Sequence, residues 1–245
     1  MKNQFPPRLN RETFFGAICW ILSLEFLVGQ AIAQLAWKGP PAYSLVSNAI
    51  SDLGVTTIGI VNIGGVSSYY GSTLYVVMNA SFIFTGLVVL TGIVLTRRAW
   101  PWSKELLAGF TLIALAGLGK IGAGLNPGNV DFTLHFVSSL GIVIGSIGMI
   151  FVGRAFLGKV RWVANFSQFL GVLGVVGFTS FLIFGHLGVG GLLERIGSYP
   201  LVIWCSVMGV YFIFCPRRDS EPRLQNKSES VSIRQKASQK HQKSL

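Results

Sequence analysis

Residues 134–152 read LHFVSSLGIVIGSIGMIFV. The one ionisable side chain in the stretch is His135, near its start, and the next charged residue is Arg154. About 20 apolar residues, rising 1.5 Å each, cross the roughly 30 Å hydrocarbon layer of a bilayer. The stretch therefore predicts a transmembrane helix. Gly141, Gly145 and Gly148 recur at spacings of four and three. In lipid, that spacing lets helix backbones approach closely.

Five more apolar runs have the same character: Phe14–Trp37, Leu74–Thr96, Leu106–Leu125, Val163–Leu187 and Pro200–Cys215. The last is short, and Leu192 and Leu193 just before it add contact with lipid. The chain thus reads as all-α, a polytopic bundle of six transmembrane helices over residues 14–215. Residues 1–13 precede it and a basic tail, 216–245, follows. Gly117, Gly119, Gly122 and Gly124 mark the third span, and Gly171, Gly174 and Gly177 the fifth. Spans three, four and five are expected to form the tight centre. No internal repeat relates the two halves.

Composition agrees. Of 245 residues, 51% are hydrophobic and 12% charged, about half the usual charged share. That excludes a soluble globular enzyme, a disordered chain and a disulfide-rich secreted module. Cys19, Cys205 and Cys215 lie in or at the end of apolar runs and have neither a disulfide nor a metal-ligand pattern.

The net charge of +11 would suit a nucleic-acid partner, but its distribution argues against one. Lys2, Arg8 and Arg11 precede the first span. Arg97, Arg98 and Lys104 separate the second from the third, and Arg154, Lys159 and Arg161 the fourth from the fifth. Eight more lie in the tail. The opposite side has Lys38 and Arg195, and Lys120 falls within a span. Basic loops stay cytoplasmic, so the expectation is a multi-pass protein of the cell membrane with both termini in the cytoplasm. Ala31-Ile32-Ala33 has the form of a signal-peptidase site. Glu25 interrupts the apolar stretch before it, and the first helix is read as uncleaved. The tail reads as a solvated segment, or as one lying on anionic lipid at about 1 kcal/mol per basic residue near the surface.

Polar residues gather on the outer side. In the loop from Lys38 to Thr73, Tyr43, Val46, Ile50 and Leu53 recur at helical spacing, opposite Ser44, Asn48, Ser51 and Asp52. Residues 43–53 are expected to form a short amphipathic helix stopped by Gly54. Val55–Gly71 reads as re-entrant or extended. Lys120 lies near the outer end of span three, Asn126 and Asp131 form the following loop, and His135 opens span four. His186 closes span five, and Glu194 and Arg195 fall in the last outer loop. Each has an ordinary structural reading: Lys120 can reach the headgroups, Asp131 can cap a helix, and the others can be interfacial.

Together, Ser51, Asp52, Lys120, Asn126, Asp131, His135, His186, Glu194 and Arg195 form a candidate ligand-binding set, because ionisable groups at membrane depth are costly. The leading expectation is an outward-facing pocket that binds or handles a lipid or a small anion. Asp52 or Asp131 is the expected carboxylate partner of Lys120. The alternative is a membrane-embedded lipid hydrolase. If it used zinc, Asp52, His135 and His186 would be the ligands, though no HExxH motif is present. Ser51 beside Asp52 lacks a nucleophile elbow. A transporter is the third reading. The sequence names no cofactor. Glu25, in mid-span, is expected either to hydrogen-bond within the bundle, to Asn79, or to carry protons.

These features resemble a prokaryotic family of six-helix membrane proteins known only as a domain of unknown function (number nine hundred and ninety-eight). The likeness runs from about Phe14 to Phe214. It rests on Ile50-Ser51-Asp52-Leu53-Gly54, the glycine-rich third helix leading to Asn126-Pro127, His135, and Gly191-Leu192-Leu193-Glu194-Arg195. It implies an architecture and no activity. The Ser-Asp-x-Gly stretch is also similar to the eukaryotic Frag, DRAM and Sfk membrane proteins, a likeness that implies lipid handling.

Overall fold

The structure, a computed structural model, describes residues 9–215. The basic tail and its suggested contact with anionic lipid lie outside the described residues. Six helices are long and apolar enough to cross a membrane: Arg11–Leu35, Tyr75–Ala99, Lys104–Leu125, Phe132–Ala155, Arg161–Leu187 and Gly190–Phe214. The chain is a six-helix membrane protein, with one small sheet among the described residues.

Two spans are made of two helices each. The first is α1 (Arg11–Leu22) and α2 (Glu25–Leu35). Ser23 parts them: its hydroxyl donates to the Trp20 carbonyl at 2.6 Å. The Phe26 and Leu27 amides then bond three residues back, to Ser23 and Leu24. A serine hydroxyl that competes for backbone groups bends a helix in this way. Spans two and three are α3 (Tyr75–Thr96) and α4 (Lys104–Leu125). Span four is α5 (Phe132–Ser139) and α6 (Gly141–Ala155), span five α7 (Arg161–Phe184) and span six α8 (Gly190–Phe214).

The spans form a ring in chain order, each packing on the next and α8 returning to α1. Glycine makes the close approaches. A Cβ on Gly109 would stand 2.8 Å from the Gly148 carbonyl oxygen, and one on Gly171 would stand 2.6 Å from that of Ser146. Spans three, four and five do pack tightly. The same approach recurs where Gly177 meets Gly197, and where Gly209 meets Ala17, so close packing runs round the ring. One end of the bundle is filled by large rings: Trp20, Trp204 and Phe212 are buried together around Trp100.

The first outer loop departs from expectation. Residues 43–53 do not form a regular helix; one 3-10 turn, Ser51–Gly54, is all that appears. Side chains take the backbone donors that a helix needs. Asn48 Oδ1 accepts the Ser44 N–H at 3.0 Å, and Asp52 Oδ2 accepts the Ala49 N–H at 2.9 Å. The following segment, left open as re-entrant or extended, is an antiparallel hairpin of β1 (Gly59–Ile63) and β2 (Val66–Tyr70). Its two-residue turn is Gly64-Gly65, at φ +59° and +86°. Positive φ at both positions is what a type I′ hairpin turn requires.

Candidate functional site

Glu194 and Arg195 were expected in a loop but belong to α8, and both are buried. Gly188, at φ +80°, ends the preceding 3-10 turn. The apolar Leu192, Leu193 and Ile196 then let the helix begin at Gly190 rather than near Pro200. Both charged residues hold the first outer loop by its backbone. Arg195 Nη1 donates to the carbonyls of Leu45, Asn48 and Gly191 at 3.0, 2.9 and 2.7 Å, and Nη2 donates to Tyr43 Oη at 2.6 Å. Glu194 Oε2 accepts the Ile50 N–H at 2.5 Å.

Asp52 faces the same charges. Burial pushes its carboxyl up to about 7, and the Glu194 charge adds to this; hydrogen bonds from Asn48 and Ala49, and the Arg195 charge, pull the other way. Burial also raises the Tyr43 phenol, against the pull of Arg195. Tyr70 is pushed up to about 12, by burial and then by Asp52.

Lys120 is buried in α4 and donates from Nζ to Ser198 Oγ at 2.8 Å. Its ammonium lies 3.8 Å from the Phe26 ring centroid and 5.1 Å from that of Phe82. The carboxylate that acts on it is Glu194, not Asp52 or Asp131. Asp131 instead caps α5, accepting the Leu134 N–H at 2.9 Å. His135 Nδ1 lies 2.9 Å from the Asn126 carbonyl oxygen, and the Asn126 amide bonds the Gly122 carbonyl. His186 is exposed at the end of span five. Among the described residues no three His, Cys, Asp or Glu side chains gather as metal ligands, and His186 stands apart from Asp52 and His135.

Two adjoining cavities share the wall of Ser51, His135, Ser139 and Glu194. The smaller, about 20 Å³, reaches Lys120 and Ser198. The larger, about 180 Å³, adds Asp52, Tyr70 and the rings of Phe132, Phe136, Phe178 and Phe181. Of the nine candidate residues, Ser51, Asp52, Lys120, His135 and Glu194 line these cavities. Asn126, Asp131, His186 and Arg195 do not. Ser198 and the four phenylalanines carried no polar-cluster signal. Ser198 was still accessible to reasoning, since it follows Glu194 by four positions and shares its helix face.

The family model described as Protein of unknown function (DUF998) matches residues 23–211. The chain belongs to this family. No curated protein and no solved structure matches it. The DUF998 match begins at Ser23, the break in span one, and ends at Tyr211 in span six. It therefore includes the outer loop, both cavities and every candidate residue. All of α1 lies outside the DUF998 match.

Proposed function

We propose that the outer cavity binds a membrane lipid whose headgroup carries hydrogen-bond donors, such as an amine or sugar hydroxyls. One observation carries this reading: the larger cavity has a polar floor and an aromatic flank that faces outward. Ser51, Asp52, His135, Ser139 and Glu194 form the floor. Phe132 and Phe136 form the flank and are 47% and 41% exposed on the surface of α5. Span four opens this flank. Its α6 half packs along α7, whereas its α5 half packs on α4. A headgroup at the floor can then extend its chain past the rings into lipid. The acidic Asp52 and Glu194 at the floor favour donors over a free anion, and Arg195 is committed to loop carbonyls.

The bias of basic residues supports the orientation, with the cavity facing outward from the cell membrane and both termini in the cytoplasm. It also accounts for the net charge without a nucleic-acid partner. The test is thermal unfolding of purified protein with added lipids. Lipids with ethanolamine or sugar headgroups are expected to stabilise it, and Asp52→Asn to abolish the effect. Stabilisation by inorganic phosphate alone, lost in Lys120→Met, would replace this reading with anion binding. A second reading, hydrolysis of the same lipid, is favoured by Ser51 and His135 sharing one wall. Loss of turnover in Ser51→Ala with binding intact would support it.

A further inference from the structure

Lys120 has more donors than protein partners. An ammonium carries three N–H groups. Ser198 Oγ takes one, at 2.8 Å. The rings of Phe26 and Phe82 lie with their centroids 3.8 and 5.1 Å from the nitrogen, and an aromatic face attracts the charge. An N–H is left for another oxygen.

No carboxylate takes it directly. Among the described residues, the ion pair formed is Arg98 with Glu12. Glu25 lines neither cavity, and its Oε1 accepts from the Ser81 hydroxyl. Glu194 acts on Lys120 through its charge. It spends Oε2 on the Ile50 N–H, and a carboxylate has about four acceptor positions. Ser198, the partner of Lys120, lies one turn beyond Glu194 on α8, a step of roughly 6 Å. Two hydrogen bonds that meet at one water reach about 5 Å.

The smaller cavity, about 20 Å³, is lined by Lys120, Ser198 and Glu194, and by Ser51 and Ser138. About 10–15 Å³ of such space holds one water, provided two to four polar groups surround it. The two opposite charges select a neutral dipole. An anion here would meet Glu194, and a cation would meet Lys120, like against like.

We propose that the smaller cavity is a water-binding site in which one ordered water bridges Lys120 Nζ to the Glu194 carboxylate. The water accepts from the ammonium and donates to the carboxylate. Its second hydrogen is available to the Ser51 or Ser138 hydroxyl. Glu194 is also part of the floor of the larger cavity. Lys120 therefore acts on an occupant of that cavity through the water and Glu194, not by contact. The site itself does not depend on what the larger cavity binds.

The test is a crystal structure of the full chain, at a resolution that shows ordered water. The expected result is a peak in the smaller cavity within about 3.2 Å of both Lys120 Nζ and a Glu194 oxygen. A cavity without a peak, or Nζ in direct contact with the carboxylate, would overturn the proposal. Crystals soaked in bromide separate water from a halide: no anomalous signal is expected at the peak, and a signal there would make the site an anion site. Lys120→Met should lose the peak, and its persistence at the same place would show that the ammonium does not hold it. If Lys120→Met does not fold, the wild-type maps with and without bromide decide alone.

Discussion

The Lys120 ammonium lies 3.8 Å from the centroid of the Phe26 ring, inside a membrane-spanning helix. A desolvated cation over an aromatic face gains about 2 kcal/mol. Removing an ammonium from water costs several kcal/mol, so the ring and the Ser198 hydroxyl do not suffice. The carboxylate that acts on it is Glu194, without a direct ion pair. Glu194 is on the cavity wall with Lys120, whereas Asp131 is committed to capping α5.

That choice of partner is measurable. Lys120→Met takes from Glu194 one of the two cations that act on it, Arg195 being the other, and Glu194→Gln strands Lys120. The double variant removes both charges, so its loss of stability should be smaller than the two single losses added. We expect a coupling above about 0.5 kcal/mol in a double-mutant cycle, and additivity for Lys120→Met with Asp131→Asn. Coupling to Asp131 in place of Glu194 would contradict the arrangement.

Arg195 gives a second prediction. Its guanidinium bonds three carbonyls and the Tyr43 hydroxyl, and it ties the first outer loop to α8. Arg195→Met should cost about 3 kcal/mol, because hydrogen bonds from a buried charge are the strong ones. Arg195→Lys should rescue little, since an ammonium cannot reproduce the planar fork. Thermal unfolding measures the loss. Limited proteolysis should cut residues 38–73 faster in both variants, and an unchanged cleavage rate would show that the loop is held by other contacts.

The architecture was legible because bilayer thickness sets a length and apolar composition fills it. Residues 134–152 alone declare a span, and basic flanks divide the loops. The outer loop was not legible. Tyr43, Val46, Ile50 and Leu53 have helical spacing, but Asn48 and Asp52 cap the local backbone and prevent the helix. Glu25 was assigned to Asn79 on depth alone. Asn79 instead donates to the Gly54 carbonyl at 2.9 Å, and Ser81, one turn or less away, takes the acid. The site was half legible. The sequence put nine polar residues at one level, but level does not fix direction. Ring packing turned Lys120, His135 and Glu194 inward and left His186 outside.

Orientation gives a third prediction. Fusions of a reporter that works only in the cytoplasm should be active after Arg98, Lys159 and Leu245, and silent after Asn62 or Asn129. The hairpin and the turn after α4 lie at one end of the bundle, tied by Asn129 to Thr56 at 2.9 and 3.1 Å. Asn62 and Asn129 must therefore report alike. Activity at either would turn the bundle over, and the cavity with it.

Asp52 supplies the last prediction. Its carboxyl is pushed from an ordinary 3.8 up to about 7, by burial first and by Glu194 second. A folded-state value above the unfolded one means that, between the two, the folded protein holds a proton that the unfolded chain has released. The contribution to stability is therefore full below the unfolded value and is lost as pH rises through the folded one. Asp52→Asn keeps an oxygen for the Ala49 N–H and cannot ionise. Wild-type melting temperature should fall from about pH 5 to about pH 8 more steeply than that of the Asn variant. The two should lie close together at the acid end, and the variant should be the more stable at the alkaline end. Parallel profiles would mean that Asp52 is ionised throughout. Asp52 would then hold a permanent negative charge beside Glu194, and a donor-bearing headgroup would meet two carboxylates at neutral pH rather than a carboxylate and an acid in balance.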